Sequence, residues 1–183
     1  MINSVFKAVM AMSIPQDKRT QLYMLPIDMA GNASEVPFQW QYFIRQMLQM
    51  SPIKQGTGFL MIDSKFIRQG ELHRRGRAHI DGNYYGKGAF GDDSKPGFRL
   101  NSDDGGMLII SDYEACKAWQ GVVQGEHGKG GDVEHLRHAF EKLPSTTMKA
   151  GVLYHTNESC IHETMPVLKD VYRTLIRLTL PAS

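Results

Sequence analysis

The stretch YRTLIRLTL (residues 172–180) predicts a β-strand near the C-terminal end of the chain. Apolar runs at 57–64, 105–111 and 148–155 predict further strands. Strands outnumber helices in the second half of the chain, and their spacing suits a jelly-roll or cupin-like barrel. We therefore expect a mainly β fold with flanking helices (α+β) and a core that is a double-stranded β-helix.

The N-terminal part of the chain predicts one strand and one helix. Residues 19–28 (RTQLYMLPID) predict the strand, and residues 38–50 (FQWQYFIRQMLQM) carry apolar side chains at helical spacing. Ser51-Pro52 is expected to end the helix, because a residue before proline disfavours the helical conformation. We expect these N-terminal elements, within residues 1–56, to pack on a core that spans roughly residues 57–181.

The connecting segments predict two more helices and a long loop. Residues 112–119 and 132–143 predict short helices, each with an aspartate at its start. Five glycines between residues 82 and 102 predict a long loop. That loop either closes as a lid on a substrate or packs down through its own aromatic side chains, which are Tyr84, Tyr85, Phe90 and Phe98.

Length and composition place the chain among ordinary globular proteins. Its 183 residues fit a single domain, and 42% of them are hydrophobic while 22% are charged. The net charge of +2 does not indicate nucleic-acid binding. A small-molecule substrate is the favoured partner. No stretch has the roughly 20 apolar residues of a membrane span. With Cys116 and Cys160 as its only cysteines, the chain is expected to be cytoplasmic, with reduced thiols.

His79 and Asp81 are the first candidate site residues. Residues two apart in a strand point to the same face, so both side chains can reach one metal ion while Ile80 faces the core. Two candidates exist for a third ligand, His155 and His162, and His162 is better placed relative to the arginines that follow it. Two histidines and one carboxylate are the ligand set of non-haem Fe(II) oxygenases. The alternative is a strand with an ordinary polar face.

Arg173 and Arg177 are the second pair of candidates. Their separation of four places both on one face of the predicted strand, so both can point into the barrel. A guanidinium makes a planar, two-pronged contact with a carboxylate, and it costs free energy to bury without an anion. The two arginines therefore suit a dicarboxylate co-substrate. The alternative is one structural ion pair and one exposed arginine.

Taken together, these residues resemble the taurine dioxygenase-like and clavaminate synthase-like branch of the Fe(II)/2-oxoglutarate oxygenases. The motifs that carry the resemblance, over roughly residues 57–181, are His79-x-Asp81, Gly105-Gly106, Asn157 with His162 five residues later, and Arg173 with Arg177. The resemblance implies that His79, Asp81 and His162 bind Fe(II). It also implies that Arg173, Arg177 and Asn157 contribute to binding 2-oxoglutarate, with either arginine as the main anchor. The implied reaction couples oxidative decarboxylation of 2-oxoglutarate to hydroxylation of a substrate.

Two other function classes remain open at this point. One is a cupin-like metal enzyme that uses the same ligands without 2-oxoglutarate, and the other is a non-catalytic jelly-roll protein that serves a binding or structural role. The basic run HRRGR (residues 73–77), just before the first metal motif, either attracts an anionic substrate, nucleic acid phosphate included, or is a solvated turn.

Overall fold

The computed structural model describes residues 1–81, 83–84, 98–99 and 105–181. Within these residues there are two α-helices, α1 (Phe38–Met50) and α2 (Arg137–Phe140). The strands are β1 (Ile2–Ser4), β2 (Phe6–Ala11), β3 (Gln21–Asp28), β4 (Thr57–Ile67), β5 (Asn83–Tyr84), β6 (Phe98–Arg99), β7 (Met107–Ser111), β8 (Cys116–Trp119), β9 (Gly121–Val123), β10 (Ser145–Thr147), β11 (Val152–Thr156), β12 (Ile161–Thr164) and β13 (Val171–Thr179).

The largest sheet, here called the major sheet, has six strands in the order β2-β11-β7-β13-β4-β3. Every neighbouring pair in it is antiparallel. Strand β13 lies inside the sheet and pairs with β4 on one side and β7 on the other. The side chains of β13 therefore point to one of two covered faces, which explains why this strand is apolar and largely buried.

One face of the major sheet packs against helix α1. Alternation along β13 directs Ile176 and Leu178 to this face, where they meet Phe43 and Ile44 of the helix. Trp40 is fully buried in the same cluster, and its indole N–H donates to the Thr20 hydroxyl at 2.9 Å. This cluster therefore forms the hydrophobic core on one face of the major sheet.

The other face of the major sheet lies against a minor sheet of three strands, in the order β10-β8-β12. Ile109 and Leu175 of the major sheet pack in one buried cluster with Cys116 and Ala118 of the minor sheet. The outer face of the minor sheet is covered by α2, where Trp119 meets Phe140 edge-on with ring centroids 4.8 Å apart. Side chains between the two sheets therefore come from alternate positions of β13, β7 and β8.

The expectation of a mainly β protein with flanking helices is confirmed. Helix α1 matches the predicted segment 38–50, and strands are found where 57–64, 105–111 and 172–180 predicted them. The strand predicted at 148–155 begins later, at Val152. Within the described residues, neither α-helix has the length and apolar composition needed to cross a membrane. Both cysteines are buried free thiols.

The prediction of a helix at 112–119 is wrong. Its second half is strand β8, which is bonded on both sides, to β10 and to β12. The Asp112 carboxylate accepts a hydrogen bond from the backbone N–H of Thr174 at 2.7 Å, so it secures β13 instead of capping a helix. Pairing with two strands supplies more backbone hydrogen bonds than a single helical turn would, and it overrides local helix preference.

Two other segments differ in part from expectation. The helix predicted at 132–143 is a short 3₁₀ turn (Glu134–Leu136) followed by the four residues of α2, although Asp132 does accept from the Glu134 backbone N–H at 2.9 Å. Within the predicted loop 82–102, β5 and β6 form an antiparallel pair. The remainder of that loop, with Tyr85 and Phe90, lies outside the described residues.

Candidate metal centre

The segment around His79 is bonded to the edge of the minor sheet. The backbone N–H of His79 donates to the His162 carbonyl oxygen, and the His162 N–H donates back to His79, each at 3.0 Å. On its other side, the Ile80 N–H donates to the Gly131 carbonyl oxygen at 2.9 Å. His79 and Asp81 are therefore held as in a strand, although they come from a short irregular segment.

Alternation within this segment sorts its side chains between two environments. Ala78 and Ile80 are fully buried in the outer cluster of the minor sheet, with Trp119 and Ile161. His79 and Asp81 point the opposite way, between the two sheets. The prediction that His79 and Asp81 share a face while Ile80 faces the core is thus confirmed.

The imidazoles of His79 and His162 and the carboxylate of Asp81 form one compact group. Their potential ligand atoms all lie within 4.8 Å of one another. Nε2 of His162 is 3.2 Å from Oδ2 of Asp81, and Nε2 of His79 is 4.0 Å from Oδ1 of the same carboxylate. Metal–ligand bonds of about 2.1 Å would draw these atoms together to about 3 Å apart. This group could hold a metal ion.

Backbone carbonyls fix which ring nitrogen of each histidine is available. Nδ1 of His79 is 2.7 Å from the Arg77 carbonyl oxygen, and Nδ1 of His162 is 3.0 Å from the Cys160 carbonyl oxygen. Because a carbonyl oxygen only accepts, each Nδ1 carries the hydrogen and donates it. In both rings Nε2 is therefore the atom turned toward Asp81, as in metal sites where a second hydrogen bond orients the imidazole.

Burial and the charges of neighbouring groups shift the pKa values of these three residues in different directions. Burial, with the nearby His162, lowers the pKa of His79 to about 3. Burial also disfavours charge on His162, but the Asp81 carboxylate outweighs that effect and raises the His162 pKa well above its ordinary value. Burial opposes ionisation of Asp81, yet Arg177 and His162 hold its pKa well below the usual range. An ionised carboxylate beside a neutral imidazole is already the protonation state a cation requires, and only the His162 proton must leave.

Arg177 is the cationic neighbour of the Asp81 carboxylate. Its Nη1 donates to Oδ2 of Asp81 at 3.1 Å, and both side chains are about one-tenth exposed. The Nε of Arg177 is buried and has no hydrogen-bond partner among the described residues. Arg177 therefore balances the charge of the Asp81 carboxylate, and its Nε makes no hydrogen bond within the described residues.

Arg173 lies on the same face of β13, two positions before Leu175, and is 1% exposed. Its Nε donates to the Ser111 hydroxyl at 3.0 Å, whereas its buried Nη1 has no hydrogen-bond partner among the described residues. Burial lowers the pKa of this guanidinium, as expected for a charge without a close counter-ion. A buried guanidinium with an N–H group that lacks a partner is suited to bind an anion.

His79, Asp81, His162 and both arginines of β13 line one cavity of about 430 Å³ between the sheets. Its apolar wall includes Met61, Ile109 and Leu175. The remaining lining residues are Tyr23, Arg74, Arg75, Cys116 and Thr164. A cavity of this volume suits a small molecule, and it combines an apolar wall with a few convergent polar groups.

The structure does not bring His155 or Asn157 to this cavity. His155 points to the other face of the major sheet, with Nε2 3.1 Å from the Gly105 carbonyl oxygen. The Asn157 side chain donates to the Asn3 carbonyl oxygen at 2.7 Å and accepts from the Val5 N–H at 3.0 Å. Of the two candidate third ligands, His162 is the one that joins His79 and Asp81, and Asn157 instead ties down the N-terminal segment.

Sequence reasoning missed two residues that support the site. Ser111, the last residue of β7, accepts a hydrogen bond from Nε of Arg173, and this contact depends on the non-local pairing of β7 with β13. Gly131 has φ of +76°, and a Cβ there would overlap the Ile80 carbonyl oxygen, so only glycine allows this close approach to the His79 segment. The Gly130-Gly131 pair in the sequence was the available clue. Compared with models of known protein families and with curated proteins, the chain matches none.

Proposed function

We propose that this protein is a non-haem Fe(II) dioxygenase that couples oxidative decarboxylation of 2-oxoglutarate to hydroxylation of a small molecule. The observation that carries the proposal is the buried, open edge of Arg173 in the same cavity as His79, Asp81 and His162. A metal site alone is common to many enzymes. A metal site together with an uncompensated buried guanidinium suits an anionic co-substrate that binds both.

The choice of iron is supported by the donor set. Two neutral imidazoles and one carboxylate form the ligand triad of non-haem Fe(II) oxygenases, and they leave a bound divalent cation with residual positive charge. All three ligands come from the minor-sheet side of the cavity, from the His79 segment and β12. These residues would hold the ion from one side of the cavity, and Arg173 and Arg177 would meet a 2-oxo acid from the major-sheet side.

The choice of 2-oxoglutarate is supported by the two arginines of β13. A dicarboxylate has one end for the metal and another for a guanidinium, and Arg173 offers Nη1 for a charge-assisted hydrogen bond. Arg177 already donates to Asp81. We therefore assign Arg173 as the main anchor of the far carboxylate and Arg177 to the charge balance of the metal site.

The double-stranded β-helix core is part of the same proposal. Support comes from the antiparallel major and minor sheets, which face each other across a shared buried cluster with the cavity between them.

Iron with 2-oxoglutarate would supply the activation of oxygen and the hydroxylation of a substrate C–H bond. The residues of this chain would bind the metal and the co-substrate, orient them, and exclude water. The Nδ1 hydrogen bonds of His79 and His162 fix the direction of both Nε2 atoms. Arg173 positions the co-substrate, and the apolar wall keeps water from the reacting atoms.

The test is an anaerobic titration of the metal-free protein with Fe(II) and then with 2-oxoglutarate, followed by visible absorption. A weak charge-transfer band that needs both components, and that is lost in His162→Ala but kept in His155→Ala, is the expected result. His155→Ala is a matched control because it removes an imidazole from the opposite face of the sheet.

Two results would contradict the proposal in different ways. Failure to retain Fe(II) would exclude a metal enzyme and favour a binding or structural protein. Retention of Fe(II) without any effect of 2-oxoglutarate would favour a metal enzyme that does not use this co-substrate.

A further inference from the structure

Arg74 and Arg75 line the outer part of the cavity. Arg75 is exposed and Arg74 is partly exposed, while Arg173 in the same cavity is 1% exposed. The Arg74–Arg75 pair and Arg173 therefore lie at different depths in the cavity. Arg173 lies at the buried end, and the Arg74–Arg75 pair lies where a molecule would enter from solvent.

Hydrogen bonds fix the direction of the Arg75 side chain but do not neutralise its charge. Its Nη1 and Nη2 both donate to the Gly130 carbonyl oxygen at 3.2 Å, and that oxygen carries no formal charge. By contrast, Arg77 is paired with the Asp132 carboxylate at 3.0 Å, although it lies only two residues away. Arg137 contacts three glutamates. Among the described residues, Arg75 thus differs from its neighbours in having a fixed direction but no carboxylate partner.

Arg74 is only partly neutralised. Its Nη1 lies 3.3 Å from Oδ2 of Asp63, and the same oxygen lies 3.1 Å from Nε2 of the buried His73. One carboxylate oxygen therefore serves two neighbours. The contact also holds the Arg74 side chain toward the cavity, since Asp63 belongs to β4 in the major sheet.

The charge of the whole cavity points in the same direction. Among the described residues, four arginines and one aspartate line it. A divalent cation and the 2-oxoglutarate dianion carry equal and opposite charges, so their binding leaves this excess of positive charge in place. An excess of positive charge that lines one cavity attracts a further anion.

We propose that the substrate carries an oxyanion group, such as phosphate, sulfonate or carboxylate, which the guanidinium of Arg75 binds with the help of Arg74. This inference rests on the proposed function, because it takes the metal centre as the point of reaction and the outer arginines as the handle. The oxyanion fixes one end of the substrate at the mouth, and the remainder reaches the apolar wall near the metal-binding group.

A small molecule fits these features better than a nucleic acid. The four arginines converge on one cavity of about 430 Å³. The net charge of the chain is only +2. A nucleic-acid surface would instead need an extended basic stripe that follows the backbone phosphates.

The test uses full-length protein loaded with Mn(II), which is paramagnetic, and saturated with 2-oxoglutarate. Inorganic phosphate is the probe, and its ³¹P relaxation is measured as a function of phosphate concentration. Wild-type protein is expected to give a saturable relaxation enhancement. Arg75→Gln is expected to weaken phosphate binding about 10-fold or more, the loss typical of a hydrogen bond to a charged group.

Arg45→Gln is the matched control, because Arg45 is exposed on helix α1 and lies behind the major sheet. It should bind phosphate as wild type does. Sulfate and acetate, added as competitors, distinguish a tetrahedral from a planar oxyanion. A single-stranded oligonucleotide that binds at physiological salt while phosphate does not would overturn the small-molecule assignment.

Failure of this inference is distinct from failure of the proposed function. If Mn(II) or 2-oxoglutarate does not bind wild-type protein, the proposed function fails. If both bind and phosphate shows no enhancement, or Arg75→Gln equals wild type, the oxyanion site is wrong. If Arg75→Gln weakens metal and 2-oxoglutarate binding as much as phosphate binding, Arg75 acts only through its bond to Gly130, and the inference is also overturned.

Discussion

His79 and His162, which are 83 positions apart in the chain, exchange both of their backbone hydrogen bonds, each 3.0 Å long. Their imidazoles consequently lie side by side, with ring centroids 4.4 Å apart. The backbone pairing therefore places the two histidine side chains of the candidate metal centre next to each other. A site built on paired backbone holds its geometry better than one built on an unsupported loop.

The close approach of Gly131 to Ile80 should control metal affinity. Gly131→Ala would push its Cβ into the Ile80 carbonyl oxygen and displace the His79 segment from β12. We expect metal affinity to fall by about 10-fold or more, as when groups that orient metal ligands are removed. Isothermal titration with Mn(II) measures this.

Gly70→Ala is the control for Gly131→Ala. Gly70 also has positive φ, at +83°, but an added Cβ there meets nothing within 4 Å. It should cost only the backbone strain of about 1–2 kcal/mol and leave metal affinity unchanged. Equal metal affinity in the two alanine variants would show that the His79 segment does not depend on Gly131.

Helix α1 offers a paired test of the packing behind the site. Phe43 is 2% exposed against the major sheet, whereas Phe38 on the same helix is 87% exposed. Phe43→Ala should lower the free energy of unfolding by about 3–5 kcal/mol, through lost burial and a cavity. Phe38→Ala should change it by no more than about 0.5 kcal/mol. Urea denaturation measures both, and equal effects would mean that α1 is not packed on the sheet.

Asp63 should contribute stability that disappears in acid. Burial opposes its ionisation, but contact with His73 and Arg74 lowers its pKa to about 2, below the usual 3.8. A depressed carboxyl pKa adds stability that is present above about pH 4 and is lost as the pH falls toward 2. After allowance for solvent screening, the contribution is about 1 kcal/mol.

The measurement for Asp63 is urea denaturation of wild type and Asp63→Asn between pH 7 and pH 2. The difference between them should be full at neutral pH and should shrink below pH 4. Asp28→Asn, at the exposed end of β3, is the control and keeps the side-chain oxygen that accepts from the Ala30 N–H. A difference for Asp63→Asn that persists at pH 2 would mean that its charge is not the cause.

Local alternation was sufficient to predict much of this site. The even spacing of Arg173 and Arg177 within a strand places both in the cavity, as predicted, because β13 is regular over its whole length. The same reasoning applied to His79 and Asp81 succeeded because pairing with His162 holds that short segment extended. Period-two patterns are reliable where the backbone is bonded on both sides.

Non-local contacts explain what the sequence could not predict. His155 and His162 are both strand histidines, and only the register of β11 with β7 directs His155 away from the cavity. Asn157 is held by residues more than 150 positions earlier, at the N-terminus. Strand β8 has a sequence compatible with a helix, and its two neighbouring strands decide otherwise.

Arg173 should be required for 2-oxoglutarate and not for the metal. Arg173→Gln keeps a polar side chain beside Ser111 but removes the charge and the free Nη1. Losing one partner of a buried charge pair costs about 2–5 kcal/mol, so the dissociation constant for 2-oxoglutarate should rise by at least about 30-fold. Mn(II) affinity should remain within about 2-fold of wild type, because the guanidinium is not a ligand. Titration of Mn(II)-loaded protein with 2-oxoglutarate measures the first, with Arg45→Gln as the remote control. An unchanged 2-oxoglutarate affinity would mean that Arg173 is a structural arginine and that the co-substrate, if one binds, is held elsewhere.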